Sequence, residues 1–379
     1  MRINNKRSIV KLLTPFEIFS LKFKNRIIMP SMGTGFANRD GTITDKLINY
    51  YRARARGGVG LIILEETAVE PIGIGYGNQL RIYEDSCLDG FKRLAETIHD
   101  EGAKVFMQLA HAGRQTLSAV IKNQPVAPSP IPCLKFKEMP RELIIEEIQE
   151  IERAFARGAE KARDLGYDGV ELHAAHGYLL CEFLSPLSNK RRDIYGGDIT
   201  NRTRIVVDII EGIRKCVGSD FPIFIKISAD EFYKGGITIK ESLKMGKILE
   251  ESGAWAITTS AGNYDSFDWV VQPAEKEPGC LVPLATAIKR EVHIPVIAVG
   301  RIINPSLAER ILSENKADLI AMGRALIADP YLPRKVKDRR IGEINKCIAD
   351  NACIEILFKR GKNIVCTVNK DLGTEKELQ

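Results

Sequence analysis

Eight short apolar stretches punctuate this chain, and each reads as a β-strand: Arg26–Met29, Val59–Leu64, Lys104–Leu109, Gly169–Leu172, Phe221–Ile227, Trp255–Thr259, Ile294–Val299 and Asp318–Met322. They are apolar almost throughout and do not alternate with polar residues. A strand of that kind is buried on both faces, which predicts a parallel sheet covered by helices. The intervals carry helical patterns with readable ends. Thr44 caps a helix running to Arg56, which Gly57-Gly58 ends; a second runs from near Ser86 to Glu101 and stops at Gly102. A third covers Glu146–Leu165 and stops at Gly166, and Asn304-Pro305 opens another with proline at its first position. Eight strands alternating with helices predict an α/β fold, a (β/α)8 TIM barrel. A doubly wound sheet is the alternative, but no GxGxxG follows the first strand.

Composition narrows the class. The 379 residues are 44% hydrophobic and 27% charged, ordinary for a globular protein with a large core. A net charge of +6 is modest, and no Lys/Arg run alternates with aromatics. Nucleic acid is therefore not an expected partner, whereas a phosphorylated small molecule suits a mild positive bias. No apolar run reaches membrane-spanning length. Lys11 and Glu17 interrupt the stretch after the basic residues 1–7, so no signal peptide is read there. Eight cysteines, scattered except for a C-terminal group, suit a reducing, cytoplasmic location. A homo-oligomer is compatible with all of this.

In a barrel, chemistry collects where strands end. The fourth strand runs into His173-Ala174-Ala175-His176-Gly177-Tyr178, which holds two of the chain's five histidines. Paired imidazoles can stabilise an oxyanion, and a neighbouring phenol can deliver a proton. A pair of hydrogen-bonded loop histidines, or half of a metal site, is the alternative; a metal would need a further ligand. The last two strands end in Gly300-Arg301 and Gly323-Arg324. One such pair is a tight turn with a solvated cation, but two at these positions, where barrels hold phosphates, predict a phosphate site.

Several segments together resemble the flavin barrel of the Old Yellow Enzyme family. They are Asn25–Pro30, Gln108–Arg114, His173 through Arg202, Val299–Arg301 and Ala321–Pro330. The chain is most similar to the long iron–sulfur branch, with 2,4-dienoyl-CoA reductase, trimethylamine dehydrogenase and the bile-acid-pathway enoate reductases. The resemblance implies FMN, with Gly300, Arg301, Gly323 and Arg324 on its phosphate. Gln108 would meet the pyrimidine edge, and Pro30, Ser31, Met32 and Gly33 would line the ring. Lys226 stands where the family usually has arginine, and offers a point charge in place of a planar fork. His173 and His176 would bind the carbonyl oxygen of an α,β-unsaturated substrate, an enone or enoate. Hydride would come from flavin N5 and a proton from Tyr178. The runner-up is an amine-type dehydrogenase; Met32, and no cysteine before Cys87, argue against the covalent flavin of such enzymes. An electron-transfer subunit of a larger complex, and a flavin-free aldolase using Lys226, are further alternatives.

The C-terminal cysteines carry a second motif. Cys347, Asp350, Cys353 and Cys366 match the family's C-x-x-C-x-x-C plus a later cysteine, with Asp350 at the second place. The resemblance implies a [4Fe–4S] cluster. Asp350 leaves three outcomes open: a carboxylate ligand to the fourth iron, a [3Fe–4S] cluster, or no cluster. Carboxylate is the harder ligand, so such a site would be more labile than an all-cysteine one. Residues 1–340 are expected to form the FMN barrel and 341–379 a short cysteine-containing extension. Long relatives continue into electron-delivering domains; here either NADH or NADPH reduces FMN directly, or a separate protein donates electrons.

Overall fold

A computed structural model of the chain describes residues 9–375; the basic residues 1–7 lie outside the described residues. All eight expected strands form. They are β1 (Ile27–Met29), β2 (Leu61–Ile63), β3 (Lys104–Ala110), β4 (Gly169–Ala174), β5 (Ile223–Ser228), β6 (Ala256–Ser260), β7 (Val296–Ala298) and β8 (Leu319–Ala321). Every neighbouring pair is parallel, and β8 returns to β1 through Ile320↔Ile27 and Ala321↔Ile28, closing the barrel. The fold is thus the (β/α)8 barrel that the apolar runs predict.

The absence of alternation now has a physical account. Ile28, Leu61, Ile63, Phe106, Phe224, Ile297 and Leu319 point inward and pack as one cluster, with Phe106 and Phe224 rings 4.7 Å apart. Their neighbours Ile27, Met29, Ile62, Val105, Ile223 and Ile320 point outward into a second, larger core under the helices. A hairpin of Phe16–Ile18 and Leu21–Phe23 adds Ile18, Leu21 and Phe23 to the inner cluster.

Helix boundaries follow local chemistry. Thr44 accepts from Leu47 N at 3.2 Å and opens Asp45–Arg56; Asn304 accepts from Leu307 N at 2.8 Å and opens Pro305–Ser313. The long helix Ile145–Asp164 and the helix Leu88–Asp100 lie where the pattern predicts, the latter preceded by a 3₁₀ turn at Asp85–Cys87. Beyond residue 340 the chain packs back on the barrel. Ile364 N donates to Thr34 O at 2.9 Å and Asn369 Nδ2 to Ile327 O at 2.9 Å. The last helix, Ala352–Arg360, brings Cys353, Ile354 and Leu357 to the barrel mouth. Among the described residues, no helix is long and apolar enough to cross a membrane.

Candidate active site

Every residue expected to touch substrate or flavin lines one cavity at the strand ends, with about 1230 Å³ of open space, solvent at its mouth included. The wall on the β4 side holds the histidines. His173 is the last residue but one of the buried strand and is in register with Lys226 on β5. His176 sits just beyond, at φ 63°, followed by Gly177 at 78°. A left-handed non-glycine residue costs about 1–2 kcal/mol, so this turn needs support. Ser228 gives it by accepting from His176 N at 2.9 Å, while its own hydroxyl donates to Gly262 O at 2.7 Å. The His176 ring meets Ser260 Oγ at 2.7 Å, and the His173 ring lies 5.1 Å from that of His176 and 4.9 Å from that of Tyr178.

Burial holds both imidazoles well below their usual range; the His176 ring and then Lys226 add to this for His173, and Lys226 alone for His176. Neutral rings donate one hydrogen bond each and do not repel a cation. His173 Nδ1 is buried with no partner among the described residues. Tyr178 shares a 2.8 Å hydrogen bond with Tyr264, and burial followed by the Glu66 charge raises its pKa, so the phenol keeps its proton.

The residues expected to meet FMN line the same cavity. Arg301 Nε is also buried without a partner among the described residues. Gly300 is at φ 103°, and a Cβ there would lie 2.6 Å from Leu281 Cγ; one on Gly323 would lie 2.8 Å from Met32 Sδ. Gly300 therefore admits only glycine and Gly323 a larger residue only if Met32 moves, leaving bare backbone beside two guanidinium groups. Arg324 is fixed from behind: its Nη1 donates to Gln272 O at 2.6 Å and Asn351 Oδ1 at 2.5 Å. Gln108 is clamped as well, its Nε2 donating to Glu171 Oε1 at 2.6 Å and its Oε1 accepting from Ser31 Oγ at 2.8 Å. That leaves one amide N–H and one lone pair for a ligand. An orphaned guanidinium beside bare backbone, with an oriented amide, suits a phosphorylated heterocycle such as FMN.

The extension's residues converge too. Cys347, Asp350, Cys353 and Cys366 line a second, smaller cavity, and Cys353 and Arg324 border both. Two sulfurs accept backbone N–H groups at 3.4 Å, Cys347 from Ala349 and Cys366 from Asn369. Asp350 is engaged by Thr367 Oγ1 at 2.5 Å and by Ala352 N at 3.3 Å. Among the described residues, no group of three or more His, Cys, Asp or Glu is gathered tightly enough for a single metal ion. Burial pushes the Cys353 thiol up to about 11, opposed by Arg324.

Sequence reasoning missed Ser260, Tyr264, Glu66 and Asn351. Ser260 and Tyr264 lie at and just beyond the end of β6, Glu66 beyond β2 and Asn351 in the extension, none with a motif of its own.

Residues 11–343 match the NADH:flavin oxidoreductase / NADH oxidase family. The chain is 48% identical over 362 residues to an NADH oxidase of Thermoanaerobacter brockii, covering 95% of this chain and 56% of the relative. It is 42% identical over 369 residues to a metal reductase of Desulforamulus reducens, covering 97% and 54%. It thus spans little more than half the length of these curated relatives. Among solved structures, a 2-naphthoyl-CoA reductase complexed with 2-naphthoyl-CoA superposes with a TM-score of 0.92 at 32% identity, covering 97% of this chain and 58% of that one. A closed barrel, a cavity suited to a flavin phosphate and this match along most of the chain agree: it belongs to the NADH:flavin oxidoreductase / NADH oxidase family.

Proposed function

We propose that this chain is an FMN-dependent ene reductase, reducing the C=C bond of an α,β-unsaturated carbonyl compound. The observation that carries the reading is the pair of neutral imidazoles, His173 and His176, in one cavity with a protonated Tyr178. FMN, when bound, supplies the hydride for the β-carbon, and NADH or NADPH, or a separate donor protein, replenishes it. Gly300, Arg301, Gly323 and Arg324 would hold the phosphate; Gln108, Lys226 and Pro30–Gly33 would border the ring. His173 and His176 bind the carbonyl oxygen and stabilise the negative charge that builds there. Ser260 and Ser228 keep the His176 ring and backbone in place. Tyr178 delivers a proton to the α-carbon, and Tyr264, bonded to its hydroxyl, orients it.

We further infer that Cys347, Cys353 and Cys366, with Asp350 as the fourth group, would hold a [4Fe–4S] or [3Fe–4S] cluster, residues 341–379 being an extension of the 1–340 barrel. Three thiols around one cavity and amide donors on two of the sulfurs support this. That all eight cysteines are free supports a reducing compartment, the cytoplasm. The test is turnover of 2-cyclohexenone by photoreduced protein with FMN bound. Loss of one oxyanion donor in His176→Ala should lower kcat about 100-fold; unchanged turnover refutes the role of the pair. Iron and acid-labile sulfide assays on anaerobically prepared protein test the cluster.

A further inference from the structure

Among the described residues, the substrate cavity is lined by one carboxyl group, and its position depends on a missing side chain. Glu66 follows β2 and lines the cavity with His173, His176, Tyr178 and Lys226. Its Oε1 lies 2.9 Å from where a Cβ of Gly33 would sit, and Tyr76 Oη lies 3.0 Å from the same point. Any larger residue at 33 would displace the pair. Tyr76 donates to Glu66 Oε1 at 3.0 Å, which fixes the carboxyl. The Glu66 backbone amide also favours the carboxylate, and the residue is only partly buried. The carboxyl is therefore anchored while it still lines the cavity.

The groups around this carboxyl are unequal. Glu65, its chain neighbour, faces away and binds the Thr34 amide and hydroxyl. Burial raises the Glu66 pKa, while its backbone amide, the Tyr76 hydrogen bond and then Lys226 favour the charged carboxylate, whose charge Tyr178 and Tyr264 feel. The histidines are neutral, and Lys226 is the cation whose charge acts on Glu66, so the two offset each other. A substrate that carries its own carboxylate gains little from Lys226 and meets a like charge at Glu66. A neutral conjugated carbonyl meets neither penalty.

We propose that Glu66, held in the space that Gly33 leaves open, is a specificity determinant that selects neutral conjugated carbonyl compounds over carboxylates. This rests on the ene-reductase reading and narrows its substrates to enones, unsaturated esters and their kind, against free enoates.

The experiment uses a matched pair, methyl cyclohex-1-ene-1-carboxylate and cyclohex-1-ene-1-carboxylate, on the FMN-loaded protein. Binding of each to the oxidised protein is titrated through the flavin absorbance, and kcat/KM is measured with photoreduced protein. The parent should prefer the ester. Glu66→Gln, which keeps size and the acceptor for Tyr76, should shift the ester-to-acid ratio of Kd about tenfold towards the acid, the equivalent of about 1.4 kcal/mol. Glu66→Ala should shift it the same way if the Gln variant folds poorly. An ester that binds normally with a ratio unmoved in both variants overturns the role of Glu66 alone. If neither compound perturbs the parent flavin, the carbonyl-site reading fails, and this inference with it.

Discussion

Asn351 is the position where one substitution separates two parts of this molecule. It lies in the cysteine loop at φ 58°, its Oδ1 accepting from Arg324 Nη1 at 2.5 Å and its Nδ2 donating to Val271 O at 3.1 Å. Arg324 borders the cavity on the proposed phosphate side and is largely shielded from solvent. A hydrogen bond to a charged group is worth about 1.5–3 kcal/mol. Arg324 keeps its bond to Gln272 O, so the part lost from cofactor binding should be about 1–2 kcal/mol, roughly a 5- to 30-fold rise in the FMN Kd. Asn351→Gly is the clean variant, because glycine keeps the left-handed backbone that alanine would strain by about another 1 kcal/mol. Asn351→Asp should recover part of the binding, since a carboxylate accepts from the guanidinium but cannot donate to Val271 O. The assay is titration of apoprotein with FMN, read as quenching of flavin fluorescence. A Gly variant within twofold of the parent, or an Asp variant as weak as the Gly variant, refutes the argument.

Three further outcomes are expected. Tyr178→Phe should lower the rate of 2-cyclohexenone reduction about 100-fold or more with little change in ligand Kd, since a general acid acts on the rate; a matching loss in binding would instead mark Tyr178 as a ligand contact. Glu65 is buried, and that burial, with Glu66 second, pushes its pKa up to about 8. The native state thus keeps a proton that the unfolded chain, near its ordinary 4.5, releases, so this group subtracts stability as pH rises from about 4.5 to 8. Glu65→Gln should therefore be stabilising by about 3 kcal/mol at pH 7 and by little at pH 4.5, the variant-minus-parent difference in urea melts cancelling the matching titration of Glu182. A gain independent of pH would exclude this cause. Finally, Gly300→Ala should leave the protein without flavin, because its Cβ would meet Leu281 at 2.6 Å with the backbone at φ 103°; retention of stoichiometric FMN sinks the packing argument.

How much of the fold and site is legible in the sequence depends on the range of each interaction. Thr44 and Asn304 act on amides three residues away, so their helices start where the chain says. Strands buried on both faces announce themselves by unbroken apolar runs, and the glycine–arginine pairs by their place after β7 and β8. Ser260 and Tyr264 are different: they reach His176 and Tyr178 across 84 and 86 residues. Only the closed barrel brings those strand ends together, and no local pattern encodes it. Glu66 carries even less signal, because its placement depends on an absent side chain at Gly33 and on Tyr76. Asn351 could be read only as part of a cysteine spacing, and its grip on Arg324 depends on the extension folding back.

That fold-back has a consequence for biosynthesis. Ile364 hangs on Thr34, and Leu357 lies 3.3 Å from the point where a Gly33 side chain would begin, so the vessel's lip is completed by residues translated long after the strands they close over. A chain shortened to residue 343, where the family match stops, should hold flavin less tightly than the full chain. Flavin should lodge firmly only once the helix Ala352–Arg360 has packed against the barrel mouth.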